Sequence, residues 1–328
     1  MNLFDEFNYI PDGLLKLKAN ELHQWLPRPT LFHLKGNKPE YLFVSVLLHG
    51  NEVTGWEAMR KLLSQQELTR GILLFIGNIK AAKHSLRKLP DQQDHNRIWH
   101  DCATEECKMA TALIKRIKYF NIFASVDIHN NTGINPHYAC VTDLEEHHLQ
   151  LAVLFSRTVV FFTSPQEVLC RATSPISPAV TIEAGKTGEQ HGVSHTIEYI
   201  ESLLHIDHLP DRPPVEQDIE ILESKATVYV PETASFSFDN SVSDINFRPD
   251  LDCLNFSHLK KGTVIGKTKN KTTLKVIDKS KKDVTNEYFD IQEGEIKLKK
   301  DCILSMLTLD KSIIRQDCLG YIMEFLVR

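Results

Sequence analysis

The sequence predicts an α/β fold, a largely parallel sheet flanked by helices, followed by a smaller β-rich domain. Three observations carry this. Two apolar runs, 41–48 and 71–77, bracket a segment, 52–68, with apolar residues at helical spacing, which is the strand–helix–strand pattern of a parallel sheet. A second amphipathic stretch, 103–120, repeats Ala110, Leu113, Ile114, Ile117 and Phe120 on one face and leads into another apolar run at 122–128. Beyond a proline-rich stretch, 209–214, short β-rich runs alternate with turn residues.

Taken in order, residues 13–25 predict a helix and 30–35 an extended piece. Strand 41–48 meets Gly50, helix 52–68 follows, and glycines bound the strand at 71–77. Residues 78–101 read as a long irregular segment rich in Lys, Arg, Asp, Gln and His; loops of that length in a compact domain are functional or disordered. After helix 103–120 and strand 122–128 come a strand at 138–141, a helix at 144–156 and a strand at 159–163. A short strand, 179–182, ends at Glu183, and 192–205 is the closing helix. The proline-rich stretch sets the expected domains at 1–208 and 209–328, the second built on runs such as 226–230, 263–266, 272–277 and 303–307.

Composition narrows the function classes. A chain of 328 residues with net charge −5 and both signs interspersed has no nucleic-acid signature. The Lys-rich patches at 279–282 and 297–300 read as solvated hairpin surface. Seven cysteines without a Cys-x-x-Cys pair predict reduced thiols rather than a disulfide framework or a cysteine-type zinc site. The acidic amino terminus lacks the basic and apolar regions of a signal peptide, and the longest apolar stretch, 151–162, is short and broken by Arg157. A cytoplasmic protein with no membrane span is expected.

The chemistry lies at strand ends. His49-Gly50-Asn51-Glu52 occupies a strand-to-helix turn, and Asp127-Ile128-His129 ends a second strand. Open α/β sheets bind ligands outside the carboxyl ends of their strands. Two imidazoles and a carboxylate form a donor set that zinc accepts while a fourth position stays open.

His49-Gly50-Asn51-Glu52, Asp94-His95-Asn96-Arg97, Asp127-Ile128-His129 and Ile182-Glu183-Ala184-Gly185 together resemble, in order and rough spacing, the succinylglutamate desuccinylase/aspartoacylase family. That family is a branch of the zinc carboxypeptidase-like hydrolases. The likeness extends in outline over 40–328, more loosely in the carboxy-terminal segment 254–266.

The resemblance implies a zinc-carboxypeptidase-like, mixed, mostly parallel sheet, and one Zn²⁺ per chain held by His49, Glu52 and His129 with a water in the open position. Asp94 falls where the family has the carboxylate that orients a ligand histidine, and Asn96 and Arg97 match the pair that holds a substrate carboxylate. A guanidinium suits that task because its planar fork matches a carboxylate. Glu183 is implied as the general base, and Arg87 as the group that steadies the oxyanion, with Lys88 an open alternative because the spacing to Asn96 departs from the family's. His147, His148, His191 and His195 read as surface or core.

The expected activity is hydrolysis of an amide bond in a small N-acyl amino acid. A carboxypeptidase-like metallopeptidase acting on short peptides or peptidoglycan fragments would use the same residues, and a metal-binding module without catalysis is the non-enzymatic alternative. The expected partners are these small molecules, with no nucleic acid and no membrane, and a homo-oligomer is left open.

Overall fold

A computed structural model of the chain describes residues 3–65, 67–269 and 271–326. It divides into two compact units. The first holds the chain up to Asn130, His137–Phe161 and Pro165–Glu220; the second holds Asn131–Pro136, Phe162–Ser164 and residues from Ile221 onward.

The strands of the first unit are β1 (Asp5–Phe7), β2 (Thr30–Leu34), β3 (Lys38–Val46), β4 (Arg70–Ile76), β5 (Ile122–Asn131), β6 (Tyr138–Val141), β7 (Thr158–Phe161) and β8 (Ala179–Lys186). They lie in the order β1-β2-β4-β3-β5-β8-β6-β7. β3 runs parallel to both β4 and β5, β6 is parallel to β7, and β2–β4 and β6–β8 are antiparallel. The sheet is therefore mixed and mostly parallel. Every residue of β4 is buried, and only Phe123 of β5 is not fully so. Strands covered on both faces read as continuous apolar runs, which is why these were legible in the sequence.

The helices are α1 (Thr54–Leu63), α2 (Ile79–Lys83), α3 (Glu105–Ile117), α4 (Glu146–Val153), α5 (Leu169–Thr173) and α6 (Gln190–His205). α3 packs Cys107, Ala110, Leu113 and Ile117 into a core with Phe43, Leu73 and Phe75. The Thr104 side chain caps it by accepting the Cys107 N–H. α1 sits close to β3 because position 55 is glycine: a Cβ there would lie 2.9 Å from Val46 Cγ1. Arg70, fully buried, lies 3.6 Å over the Phe123 ring and donates to the Leu203 carbonyl and, at 2.9 Å, to that of Ile206, satisfying the end of α6.

Several local expectations change. Residues 13–25 form two 3₁₀ segments, Leu14–Lys16 and Ala19–Gln24, rather than one α-helix. α1 starts at Thr54, because Glu52 is held in the preceding turn with its N–H on the His49 carbonyl. The segment 78–101 contains the short helix α2, and β8 runs on through Glu183 to Lys186. The reduced-thiol expectation fails for one pair: Cys102 and Cys107 form a disulfide with Cα atoms 5.6 Å apart, since the turn into α3 folds two cysteines five positions apart onto each other. Cys140, Cys170, Cys253, Cys302 and Cys318 keep their thiols.

The second unit is β-rich, with β9 (Glu220–Tyr229), β10 (Phe236–Ser237), β11 (Ile245–Phe247), β12 (His258–Leu259), β13 (Val264–Thr268), β14 (Lys275–Asp278), β15 (Phe289–Gln292), β16 (Glu295–Leu298), β17 (Cys302–Ser305) and β18 (Gly320–Phe325). Two short helices, α7 (Thr285–Tyr288) and α8 (Lys311–Gln316), interrupt them. β14-β9-β18-β17-β12 associate along one ladder and β10-β11-β13-β16-β15 form a separate five-stranded sheet, around Val228, Ile245, Phe247, Ile296 and Ile322. The short stretch Asn131–Pro136 is stitched into this unit. Asn255 donates to the Ile134 carbonyl at 3.0 Å, the Met306 N–H donates to Asn135 Oδ1 at 3.1 Å, and Thr132 Oγ1 donates to Thr308 Oγ1 at 3.0 Å. Among the described residues no helix is long and apolar enough to cross a membrane.

Candidate active site

The site begins where β3 stops. Leu47, fully buried, takes a left-handed backbone (φ 57°), which turns the chain out of the sheet two residues before His49. The turn then lies against α2. A Cβ on Gly50 would sit 2.2 Å from the Ala82 nitrogen and 2.3 Å from the Ala81 carbonyl carbon, so only glycine permits this approach. The Gly50 N–H donates to the Arg87 carbonyl at 3.1 Å, and Asn78 caps α2 by accepting the Ala81 N–H at 3.1 Å. His49 and Glu52 thus leave a turn fixed by backbone contacts on both sides.

His49, Glu52 and His129 are all buried, and one donor atom from each lies within 4.8 Å of the others. His49 Nδ1 is 2.7 Å from Glu52 Oε1, and His129 Nδ1 is 2.7 Å from Glu52 Oε2. The opposite ring nitrogens face other carboxylates: His49 Nε2 is 2.9 Å from Asp94 Oδ1, and His129 Nε2 is 2.8 Å from Asp127 Oδ2. This is the arrangement that metal-binding histidines adopt, with one nitrogen toward the ion and the other N–H held by a carboxylate that fixes tautomer and ring orientation. The donor set fits a zinc ion between the two Nδ1 atoms and the Glu52 carboxylate.

The electrostatics follow from packing these charges together. Burial and Arg87 would lower the His49 pKa, but Glu52 and Asp94 outweigh them and raise it. His129 rises well above the ordinary range, with Asp127 and Glu52 overcoming burial. Glu52 and Asp94 move the other way: burial opposes their ionisation, but the imidazoles, and Arg87 for Asp94, hold both well below the usual carboxylate range. Glu183 is the exception. Its burial pushes it up to about 7, Glu52 adds to the rise, and His129, His49 and Arg87 only partly offset it. The environments of the two carboxylates thus drive their pKa values apart: Glu52 is held ionised, and Glu183 is pushed toward neutrality.

Arg87, not Lys88, faces this group. Its Nε and Nη2 donate to Asp94 Oδ2 at 3.1 and 2.9 Å, and its Nη1 is 3.8 Å from Glu52 Oε1, whereas Lys88 Nζ donates to the Gln92 carbonyl. Asn96 is fixed on two sides: its Oδ1 accepts the Leu169 N–H at 3.1 Å and its Nδ2 lies 3.4 Å from His129 Nε2. Arg97, half-buried, donates to the Asn96 carbonyl at 2.8 Å. Of the histidines read as surface or core, His191 and His195 each stack on His137, and His147 pairs with Asp211.

Two positions that contact the candidate site went unassigned at the sequence level. Asp127 had a signal, because residues two apart on a strand share a face, so it had to reach the same place as His129. Asn130 had none. Its N–H donates to Glu52 Oε2 at 3.2 Å, its Oδ1 accepts the first N–H of α1 at 3.1 Å, and its Nδ2 donates to the Gly185 carbonyl at 3.0 Å. One amide thereby ties together the ends of β5 and β8 and the start of α1.

A sequence search of curated proteins returns no match. Solved structures match over most of the chain. Succinylglutamate desuccinylase/aspartoacylase from Rhodobacter sphaeroides superposes with a TM-score of 0.61 at 15% identity, covering 90% of this chain and 88% of that one. Succinylglutamate desuccinylase from Vibrio parahaemolyticus gives 0.57 at 13% identity over 89% and 82%, and murine aminoacylase 3 gives 0.58 at 15% identity over 88% and 96%. At such identities these likenesses establish the fold. Residues 40–204, half of the chain, match the family model described as succinylglutamate desuccinylase/aspartoacylase catalytic domain, so the chain belongs to the succinylglutamate desuccinylase/aspartoacylase family.

Proposed function

We propose that the protein is a zinc-dependent deacylase that hydrolyses the amide bond of a small N-acyl amino acid, with one catalytic Zn²⁺ held by His49, Glu52 and His129. The observation that carries this reading is the pairing of that buried donor set with Glu183, a carboxyl pushed up to about 7 within electrostatic range of all three donors. A zinc ion there would supply Lewis-acid polarisation of the substrate carbonyl and a lowered pKa for a bound water.

The chain's own residues do the rest. Glu183 takes a proton from the attacking water as the oxygen adds to the acyl carbon, and returns it to the nitrogen as the C–N bond breaks. The products are a carboxylate and a free amino acid. Arg87, braced by two hydrogen bonds to Asp94, offers positive charge to the carbonyl oxygen as it becomes an oxyanion. Arg97 holds a substrate carboxylate, and Asn96, with its amide oxygen on the Leu169 N–H, fixes the loop that presents it.

The test is hydrolysis of a panel of N-acyl amino acids and short peptides by wild type, Glu183→Gln and His49→Ala, with zinc content measured on the same samples. Wild type should cleave an N-acyl amino acid, Glu183→Gln should keep zinc and lose at least about 100-fold in kcat, and His49→Ala should lose both. Preferential cleavage of the peptides would move the assignment to a peptidase. A zinc-loaded wild type that cleaves nothing in the panel would overturn it.

A further inference from the structure

A second group of metal-ligating side chains lies outside this site. Donor atoms of His100, Cys102 and Cys107 all fall within 4.8 Å of one another. The two sulfurs form a disulfide, and the imidazole beside them is exposed. A disulfide has no use for a nitrogen donor; a soft divalent cation does. We propose that His100, Cys102 and Cys107 form a thiol-gated site for a zinc-like cation, closed when the disulfide is formed and opened by its reduction.

The reduction is chemically suited to the place. Cys102 is half-buried and within reach of a small thiol, while Cys107 is buried in the first turn of α3. A thiolate of the reductant attacks the Cys102 sulfur, the S–S bond breaks, and Cys107 leaves as a thiolate stabilised by the positive end of the helix dipole. A second thiol of the reductant then displaces the mixed disulfide. The reductant ends as its own disulfide and the protein as two thiols. Metal binding releases the two thiol protons to solvent and gives a site of two sulfurs and one nitrogen, with water completing the tetrahedron.

Contacts besides the S–S bond hold the surrounding structure. Thr104 Oγ1 donates to Gln93 Oε1 at 2.9 Å, Trp99 Nε1 donates to the His95 carbonyl at 2.8 Å, and the Trp99 N–H donates to the Glu167 carbonyl at 3.3 Å. These bonds hold both ends of the 100–107 loop, so the three donors stay gathered after reduction. Sulfurs ligating one zinc stand farther apart than bonded ones, and side-chain rotation supplies that opening.

Cobalt titration of the full-length protein tests this, because sulfur-to-cobalt charge transfer absorbs in the near ultraviolet and the His49–Glu52–His129 centre contains no sulfur. Reduced wild type should bind one more equivalent of Co²⁺ than oxidised wild type and show that absorption. His49→Ala, when reduced, should retain it, which separates this site from the catalytic one. The double variant Cys102→Ser/Cys107→Ser should lack both the extra equivalent and the band, and His100→Ala should keep the cysteines but weaken the extra binding by about tenfold or more. Equal metal counts in reduced and oxidised wild type with no sulfur band would overturn the proposal, as would a band that persists in the double variant, since that would place the sulfur elsewhere.

Discussion

Replacing the proposed general base should make the metal-free protein more stable, not less. Glu183 is buried, and its carboxyl is pushed from an ordinary 4.5 up to about 7, first by burial and then by Glu52. A carboxyl whose folded-state pKa lies above its unfolded value binds its proton more tightly in the folded chain, so it detracts from stability as pH rises from 4.5 through 7. At 1.36 kcal/mol per pKa unit, the cost in the fully ionised state is about 3 kcal/mol. Glu183→Gln keeps the shape and removes the charge. With chelator present, the variant should exceed wild type by about 3 kcal/mol near pH 8, and the gap should close as pH falls to about 4.5. Urea unfolding followed by tryptophan fluorescence isolates the relevant unit, since Trp25, Trp56 and Trp99, the chain's three tryptophans, all lie in it. Equal stabilities near pH 8, or a gap that does not shrink on acidification, would refute the reasoning and with it the idea that burial tunes this group for proton transfer.

Three further outcomes are expected. Gly50→Ala must open about 0.8 Å of space to bring its Cβ from 2.2 Å to the 3.0 Å that real contacts respect; that exceeds the tolerance of about 0.2 Å on metal–ligand distances, so zinc content should drop, and urea unfolding should show a loss of about 1–3 kcal/mol. Asp127→Asn, which weakens the hold on His129 Nε2, and Asp94→Asn, which does the same for His49, should each lower zinc affinity by about 10–100-fold in a chelator competition without unfolding the chain. In the metal-free protein His49 and His129 hold their protons above the usual imidazole range, and binding must expel them. Apparent zinc affinity should therefore weaken as pH falls, by up to about tenfold per unit for each proton displaced, and a flat profile in the same competition would exclude ligation through these nitrogens.

The His49, Glu52 and His129 cluster was legible because the runs preceding its histidines were. β3, β4 and β5 are covered on both faces, so their apolar runs announce strands, and residues ending such strands must emerge at one edge of the sheet. Glu183 was legible as a motif but its raised pKa was not, since that depends on burial that no local pattern reports. Asn130 was silent for a related reason: its three hydrogen bonds join segments more than fifty residues apart. The 3₁₀ segments near the amino terminus were misread because apolar residues three apart suit both kinds of helix. The Cys102–Cys107 bond depends on how the loop turns into α3, and a five-residue separation encodes no such turn.

The stitching of Asn131–Pro136 into the β-rich unit bears on how this protein could be dissected or rebuilt. No single scission releases the first unit with its neighbouring chain intact: ending the chain at Glu220 removes Asn255, Met306 and Thr308, and strips the partners from a stretch that starts two residues after His129. The carboxy-terminal third is not a detachable cassette. A lineage that exchanged it for another module would have to re-tailor the chain beside His129 at the same time, so the two parts are bound to change together.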